Sequence, residues 1–404
     1  MSEPKQCPFS VANTNDVDPF SLYEQFRPDG PLVWDEGMKG WAVLDYENCA
    51  YIETNEDLFR NAYVGAPAEV IEIKGGPGNL TVVSGEPHAK LRNFQVKLLS
   101  PRAMLTIRED NVRPVVEFLM ARIAAKGRAD LTAGFGDQIP VRVIMSLFGM
   151  DWQEDGVARS IAQHHEAIAT YLGRKFEAGE VHARAKQASA ALNALLLPYV
   201  RERGDGQGKD FISRIWQGAP QFYGDIDEAT VLSICRELFF AGGDTTAHAI
   251  ANALYLYLTR HDLRGVINAD RGQPLSSFIE ETMRLYGSVQ YRFRVANQDC
   301  VIGNVNVRKD QVLILLHAAA NRDPVHYANP VNVDLNRRPP ADHLAFNRGP
   351  RTCLGASLAR TEINLALQAV MDRLPTMRLD PAAEQPRFRS LFFRSHRPLN
   401  VVYD

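Results

Sequence analysis

Ten residues near the C-terminus constrain the fold more than any other part of the chain. Residues 346–355 read FNRGPRTCLG and lead directly into an apolar segment, 356–374, that is predicted to be helical. Cys353 therefore stands just ahead of a helix, where unpaired backbone N–H groups and the positive end of the dipole stabilise a thiolate. Gly349 and Gly355 let the backbone turn tightly around the sulfur. Cys353 is a candidate metal ligand, although a lone cysteine there is more often a small buried hydrophobe.

Length and composition predict one large domain over 1–404. The 404 residues contain no low-complexity linker, internal repeat or charge block that would separate two halves. A hydrophobic fraction of 45% and a charged fraction of 23% are typical of a globular protein with an ample core. The net charge of -3 argues against a nucleic-acid binder.

Cysteine usage and the N-terminus predict a cytoplasmic protein. The five cysteines are odd in number, widely scattered and without metal-finger spacing: Cys7, Cys49, Cys235, Cys300 and Cys353. The first thirty residues lack the apolar run of a signal peptide or membrane anchor. We expect a reducing compartment, no membrane attachment and a monomer.

The first third of the chain alternates between short strands and helices. Residues 31–34 and 40–44 are typical of two strands about a glycine-containing turn, and Tyr46 to Thr54 is predicted to be helical. Residues 62–81, rich in glycine and proline, are predicted to be irregular. This stretch is either a lid over a pocket or a flexible surface loop. From 108 to 199 the periodicity is mostly helical.

A long helix with a weakened middle is predicted from an N-cap within 225–228 to about Thr259. Charged side chains interrupt its apolar run, so it is not a membrane span. Its centre, 239–246, reads FFAGGDTT, and adjacent glycines and threonines are poor helix formers. The glycines predict close approach of a flat cofactor, and a threonine can bond back to a carbonyl and bend the helix. Asp244 and Thr245 are candidates for general acid work.

Three further patterns pair charged residues. His88 and Arg92 share one face of a predicted helix, which suits a dianionic ligand, although alone they are ordinary surface residues. Glu281 and Arg284 are spaced to pair on one helix, and 289–296 alternates like a strand that carries Arg294.

Taken in order, these patterns resemble the cytochrome P450 family. The loop is similar to F-x-x-G-x-R-x-C-x-G, and the helix centre is similar to A-G-x-D-T-T. H-x-x-x-R and E-x-x-R motifs occur in the family's order between 88 and 284. The resemblance implies a mainly α fold with a small β region (α+β), strands near 30–60 and 289–318, and a long central helix over haem. Asn347 departs from the family's usual glycine, and asparagine best tolerates the left-handed backbone expected there.

The resemblance also implies a cofactor and roles for named residues. The cofactor would be haem b (iron protoporphyrin IX), with Cys353 as the axial ligand of its iron and Asp244 and Thr245 as the proton relay. The propionates would be contacted by His88, Arg92, Arg294, His343 and Arg351. The substrate pocket would be lined by Phe239, Phe240, Ala241, Val289, Tyr291, Arg292 and Phe392. Glu281 and Arg284 would form a structural ion pair with Arg337 or Arg338.

The implied activity is that of a monooxygenase. It would use dioxygen and electrons from a separate ferredoxin and its reductase to hydroxylate or O-dealkylate a small apolar or aromatic substrate. A basic patch would suit the acidic donor: Lys97, Arg102, Arg348 and Arg360. Arg292 raises a carboxylate-bearing substrate as a second hypothesis, and Glu237 either faces the pocket or pairs with an arginine. A peroxide-driven haem-thiolate enzyme and a non-catalytic haem sensor remain as alternatives.

Overall fold

The computed structural model describes residues 19–173, 179–339, 341–389 and 393–404. These residues form two compact units. The first contains the described parts of Met1–Ala62, Gly265–Cys353 and Phe388–Ser395, and the second contains Leu354–Arg387, His396–Asp404 and the described part of Tyr63–Arg264.

Helices make up most of the described chain. In chain order they are α1 (Pro19–Phe26), α2 (Tyr46–Thr54), α3 (Ala68–Lys74), α4 (Gly85–Leu98), α5 (Pro101–Ile107), α6 (Arg113–Ala124), α7 (Gln138–Leu147), α8 (Asp155–Gly173), α9 (Glu180–Glu202), α10 (Phe211–Gly218), α11 (Pro220–Tyr223), α12 (Glu228–Gly243), α13 (Thr245–Thr259), α14 (His261–Ala269), α15 (Gln273–Tyr286), α16 (His317–Ala320) and α17 (Ala356–Arg373). No helix among the described residues is both long enough and apolar enough to cross a membrane.

The strands are short. They are β1 (Leu32–Asp35), β2 (Gly40–Val43), β3 (Phe59–Asn61), β4 (Arg128–Asp130), β5 (Arg292–Ala296), β6 (Cys300–Ile302), β7 (Val305–Val307), β8 (Val312–Leu315), β9 (Arg378–Leu379), β10 (Arg387–Arg389), β11 (Ser395–Arg397) and β12 (Asn400–Val402). The fold is therefore mainly helical with small sheets, as the sequence predicts.

A five-stranded sheet organises the first unit. Its order is β1-β2-β8-β5-β3, in which β2 and β8 are parallel and the other neighbours are antiparallel. Along β8, Leu313 and Leu315 enter one apolar cluster, while Ile314 enters another. Because successive side chains of a strand point to opposite faces, both faces of this sheet are buried. The strand β5, which carries Arg292 and Arg294, is thereby held in a fixed register.

The helices α12 and α13 organise the second unit. Twelve of the fifteen residues of α13 are buried, which is the pattern of a helix surrounded by other helices. Asp227 begins α12 as an N-cap, since its side chain accepts a hydrogen bond from the backbone N–H of Thr230 at 2.8 Å.

Several sequence predictions are confirmed and one is wrong. The strands near 31–34 and 40–44 and the helix over 46–54 are present. The stretch 62–81 is not irregular throughout, because it contains α3. That short helix is bounded by Pro67 and by Gly75, whose φ of +123° ends it. The same prolines and glycines that indicated a loop are the end signals of this helix.

The predicted ion pair between Glu281 and Arg284 is confirmed. It is bidentate, with N–O distances of 2.7 and 2.9 Å, and both side chains are almost completely buried. Arg337 rather than Arg338 completes it, donating its Nε to Glu281 at 2.9 Å. Arg284 also donates to the carbonyls of Asn321 at 2.8 Å and Asn332 at 2.9 Å. One helix therefore anchors two loop segments through charge-assisted hydrogen bonds.

Replacing Glu281 with glutamine should lower the free energy of unfolding by about 3–5 kcal/mol, because it leaves a buried guanidinium without its counter-charge. The thermal midpoint of the purified variant measures this loss. Glu109→Gln is the matched control, since Glu109 and Arg113 form an exposed pair that should contribute little. A Glu281→Gln protein as stable as the control would contradict the anchoring role.

Candidate active site

The loop that carries Cys353 is closed by a backbone hydrogen bond. The N–H of Cys353 donates to the carbonyl of Phe346 at 2.8 Å, and Cys353 is exposed, reduced and three residues ahead of the start of α17. Its thiol is therefore available to a ligand from outside the loop.

Two residues of the loop adopt unusual backbone angles. Asn347 has a φ of +57°, as predicted, but its ψ of 179° lies outside the left-handed helical region. Its amide also accepts from the Nε of Arg292 at 3.2 Å and donates to the carbonyl of Arg351 at 3.3 Å. Gly349 has a φ of +69°, and a Cβ there would lie 3.0 Å from the Cα of Thr54. The end of α2 therefore requires glycine at this position.

A buried carboxylate, Glu53, supports the loop from α2. It accepts the N–H of Arg348 at 2.8 Å, and its Oε1 lies 3.0 Å from the Nε2 of His317 and 3.9 Å from the Nη2 of Arg294. Burial raises the pKa of Glu53, but the charges of His317, Arg294 and Arg292 together hold that pKa below its usual value. The carboxylate is therefore ionised and neutralises part of the positive charge beside the cysteine loop.

Three guanidinium groups lie close together near Glu53 in the first unit: those of Arg292, Arg294 and Arg351. Burial, with the charges of Arg351 and Arg292, lowers the pKa of Arg294 to about 10, although Glu53 opposes the shift. Arg351 donates to Glu56 through Nε at 2.8 Å and through Nη2. The Nη2 of Arg294 is buried and makes no hydrogen bond within the described part of the chain. Burying a charged donor without a hydrogen bond is unfavourable, so the Nη2 of Arg294 fits the carboxylate of a bound group.

The contacts of His343 differ from those predicted for it. Its Nε2 lies 3.2 Å from an oxygen of Glu280, and its Nδ1 accepts the N–H of Ala345 at 3.3 Å. Both ring nitrogens are therefore occupied, and the predicted contact with a propionate is not supported. His343 instead braces the start of the cysteine loop.

The second unit carries the other predicted cationic pair. His88 is buried on α4, and Arg92 lies one turn later on the same helix and is partly exposed. Their shared face is as predicted, and their contact with a propionate remains a prediction.

The predicted break in the central helix lies at Asp244. The helix α12 ends at Gly243 and α13 begins at Thr245, and Asp244 between them has φ −117° and ψ −44°. The Oγ1 of Thr245 donates to the carbonyl of Ala241 at 3.1 Å, which is the back-bond that the sequence predicted. The acid and the alcohol are thus adjacent at the point where the helix is interrupted.

The environment of Asp244 favours its protonated form. Burial and the carboxylate of Asp137 raise the pKa of Asp244 to about 7, with Arg397 opposing and Glu166 adding to the shift. A carboxyl group that is half protonated near neutral pH can both donate and recover a proton.

The glycines of the broken helix serve packing within the unit. A Cβ on Gly243 would lie 2.5 Å from the Cε1 of His165, and one on Gly242 would lie 3.3 Å from Ile144. His165 of α8 is fully buried against Phe239 and Phe240. Burial is the main reason that its pKa falls to about 3. The predicted reason for the glycines, approach of a cofactor, is therefore incomplete, because a histidine from another helix occupies the space beside Gly243.

Glu237 and the predicted pocket residues have distinct surroundings. The carboxylate of Glu237 accepts the N–H of Leu80 at 2.9 Å and the amide of Gln95 at 3.1 Å. Phe239 is fully buried, whereas Ala241 is exposed. Ala241 is therefore the better placed of the two to meet a ligand.

The remaining predicted pocket residues belong to the first unit. Val289 forms a backbone bridge with Phe393, and Tyr291 lies within the apolar cluster around Ile314. The Nε of Arg292 is engaged by Asn347, which favours support of the cysteine loop over recognition of a substrate carboxylate. Phe392 lies outside the described residues.

Sequence reasoning missed Glu53 and His165. Glu53 carried one signal, an acid directly beside the apolar Ile52 in a partly buried helix. His165 carried none, since a histidine on an amphipathic helix reads equally well as a surface residue.

A family model and two relatives indicate what this chain is similar to. A family model described as cytochrome P450 matches residues 274–392. The mycinamicin IV hydroxylase/epoxidase of Micromonospora griseorubida is 28% identical over 419 aligned positions, which cover 100% of this chain and 99% of that protein. The cytochrome P450 monooxygenase PikC of Streptomyces venezuelae is 28% identical over 373 positions, 90% of this chain and 86% of that protein.

A solved structure shows the same fold. The crystal structure of CYP109E1 from Bacillus megaterium in complex with testosterone superposes with a TM-score of 0.82 at 23% sequence identity, covering 96% of this chain and 100% of that one.

The raised pKa of Asp244 predicts a pH-dependent stability. Because its pKa in the folded state, about 7, lies above the ordinary value of 3.8, the folded protein holds this proton more tightly than the unfolded chain. The stabilisation is complete below about pH 4 and is lost as the pH rises through about 7. Asp244→Asn should therefore gain in thermal midpoint relative to the wild type over this range.

The measurement is the difference in thermal midpoint between wild type and variant, taken from pH 4 to pH 8 on haem-loaded protein. Asp205→Asn, at an exposed aspartate, is the control and should show no such trend. A difference for Asp244→Asn that does not change with pH would contradict the assigned titration.

Proposed function

We propose a substrate class and an electron donor for this chain, which belongs to the cytochrome P450 family, is of the bacterial type and is a monooxygenase. The substrate is a small apolar or aromatic organic molecule, which is hydroxylated or O-dealkylated, and the electrons come from a ferredoxin and its reductase. The observation that carries the oxygen-activating activity is Asp244, a carboxyl group with a pKa of about 7, beside the Thr245 hydroxyl at the break of the central helix.

Haem b is the cofactor of this family, and the residues present fit it. Cys353 offers an exposed thiol at the end of a loop that is fixed by Glu53 and Asn347. The buried Nη2 of Arg294, which has no hydrogen-bond partner among the described residues, offers a donor for a propionate. When bound, the haem supplies an iron centre at which dioxygen is activated with two electrons, and thiolate ligation favours O–O cleavage.

Protons for the reduction of dioxygen would come from the chain itself. Asp244 gives its proton to the Thr245 hydroxyl, which passes on its own proton and so acts as the donor. In the structure this proton is donated to the carbonyl of Ala241 at 3.1 Å, so Thr245 releases that back-bond when it passes its proton on and receives the proton of Asp244. With a pKa near 7, Asp244 is reprotonated from solvent without a large driving force.

The substrate class rests on the apolar character of the helix beside the acid. Phe240 and Ala241 precede Asp244 by one turn or less, and neither offers a hydrogen bond from its side chain. One relative is named for hydroxylation of mycinamicin IV, and one structural neighbour binds testosterone. Both are consistent with an organic substrate held mainly by apolar contacts.

A ferredoxin as the donor is supported by basic residues of the second unit, of which Lys97 and Arg102 are exposed. Lys97 and Arg102 are exposed at the end of α4 and the start of α5, and Arg360 lies on the first turns of α17. Positive charge of this kind steers an acidic partner at low ionic strength.

Thr245→Ala should uncouple the reaction. Without the hydroxyl, protons arrive in the wrong order, so the yield of hydroxylated product per NAD(P)H should fall at least about tenfold while peroxide release rises. Reconstituted turnover with a surrogate ferredoxin pair measures both quantities. Thr259→Ala is the control, since Thr259 makes the same back-bond, at 2.8 Å to Tyr255, at the far end of α13.

The outcome also separates the alternatives. Unchanged coupling in Thr245→Ala, with turnover on peroxide alone, would favour a peroxide-driven enzyme. Tight haem with no substrate-dependent NAD(P)H consumption would favour a haem sensor. Small aromatics, terpenoids, steroids and fatty acids, screened by the spin-state shift in the absorption spectrum, identify the ligand class.

Charge reversal should test the donor surface. Arg102→Glu should raise the KM for an acidic ferredoxin by about tenfold at low salt, with the difference shrinking as ionic strength rises. Arg159→Glu, at an exposed arginine on α8, is the control. Equal effects of the two reversals would remove the proposed docking role of Arg102.

A further inference from the structure

A chain of charged and polar side chains adjoins Asp244 in the second unit. The Oδ1 of Asp244 lies 3.7 Å from the Nε2 of His248, one turn further along α13. The Nδ1 of His248 lies 3.4 Å from the Nη2 of Arg397. Arg397 in turn makes a two-point contact with Asp137, at 3.1 and 3.3 Å. Two carboxylates are thus separated by one imidazole and one guanidinium.

The neighbours of His248 determine which nitrogen carries its proton. A guanidinium can only donate, so the Nδ1 of His248 must accept from Arg397. The proton of the neutral ring is then on Nε2, which faces Asp244. Burial and the charge of Arg397 hold the pKa of His248 well below its usual value, so the neutral ring with this tautomer persists at physiological pH.

Among the described residues, few other charged or polar side chains lie near this row from Asp244 to Asp137. Glu166 of α8 adds negative charge, and Asp130 of β4 is a further carboxylate near Asp137. Asp130 is already bound to the N–H groups of Thr132 and Leu399. Next along α13, Asn252 is bound to His396 through the backbone N–H at 3.0 Å and Nδ1 at 2.9 Å. In the described part of the chain, Arg397 is the cation whose charge acts on Asp244.

We propose that His248 and Arg397 are positioning residues for Asp244, with Asp137 as the counter-charge that holds Arg397 in place. His248 points its Nε2–H at the carboxyl group of Asp244 and so fixes the acid at the helix break. Arg397 favours the ionised form of Asp244, and Asp137 disfavours it. This inference rests on the proposed function, since it concerns the acid that delivers protons there.

The two members of the Asp137–Arg397 pair should shift Asp244 in opposite directions. Arg397→Gln removes the favourable charge and leaves Asp137 uncompensated, so the pKa of Asp244 should rise by about one unit. Asp137→Asn removes the unfavourable charge and should lower it by a similar amount. A mere loss of local structure would move both variants the same way.

Two substitutions, one without a hydrogen-bond donor and one with a donor, test the role of the His248 N–H. His248→Leu removes the N–H whose nitrogen lies 3.7 Å from the carboxyl of Asp244, and it should raise the pKa of Asp244, because the ionised form loses the attraction of that dipole. His248→Gln retains an amide donor and should return the value toward that of the wild type. Arg260→Gln is the control, because Arg260 pairs with Asp262 just beyond the end of α13 and should leave Asp244 unchanged.

The readout is a pH titration of the Asp244 carboxyl carbon by NMR. It uses haem-loaded protein labelled with 13C-aspartate, reduced and bound to carbon monoxide so that the sample is diamagnetic. The resonance is assigned by its absence in Asp244→Asn. Shifts of the same sign in Arg397→Gln and Asp137→Asn, or no shift in either, would overturn the proposal. If Arg397→Gln does not fold, Asp137→Asn alone decides. A pKa of Asp244 in Asp137→Asn that is equal to or higher than the wild-type pKa would overturn the proposal.

The pH dependence of coupling separates this inference from the proposed function. The pH at which product per NAD(P)H is halved should follow the NMR value from variant to variant. If the NMR shifts occur but the coupling profile stays fixed, the positioning network stands and Asp244 is not the proton donor. If the NMR values do not move, the network fails while the proposed proton delivery is unaffected.

Discussion

The cysteine loop depends on one buried carboxylate. Glu53 binds the backbone of Arg348, lies beside His317 and Arg294, and belongs to the last turn of the helix against which Gly349 packs. An ionised carboxylate in such a position is stable only because cations surround it. The same cations outnumber it, and the surplus donor on Arg294 is the feature that fits a carboxylate of the cofactor.

In the second unit the excess charge is negative, whereas beside the cysteine loop it is positive. Here the carboxylates of Asp244, Asp137 and Glu166 exceed the cations, and burial keeps a proton on Asp244 near neutral pH. The helix break places this acid beside Thr245 rather than within a regular helical turn. The excess of arginines beside the cysteine loop favours the binding of an anion. The excess of carboxylates around Asp244 favours its protonated form, which can supply a proton.

Sequence reasoning succeeded where the relevant contacts are local. The back-bond of Thr245, the Glu281–Arg284 pair and the capped start of α12 all join residues at most four positions apart, so spacing alone predicts them. It did not predict the contact between His343 and Glu280, which is 63 residues away, and it was wrong about the helix inside 62–81, whose end signals had indicated a loop. Neither the distant partner nor the packing of a short helix is encoded in a local pattern.

By itself the sequence determined the chemistry: one thiol before a helix, an acid and an alcohol at a weakened helix centre, and arginines on a strand. Tertiary structure alone decided the charge state of these groups. His165 beside Gly243, Arg397 beside His248 and Glu53 beneath the loop each come from segments remote in the chain. The physical reason is that a pKa depends on burial and on the charges within a few ångströms, which only the folded arrangement of distant segments supplies.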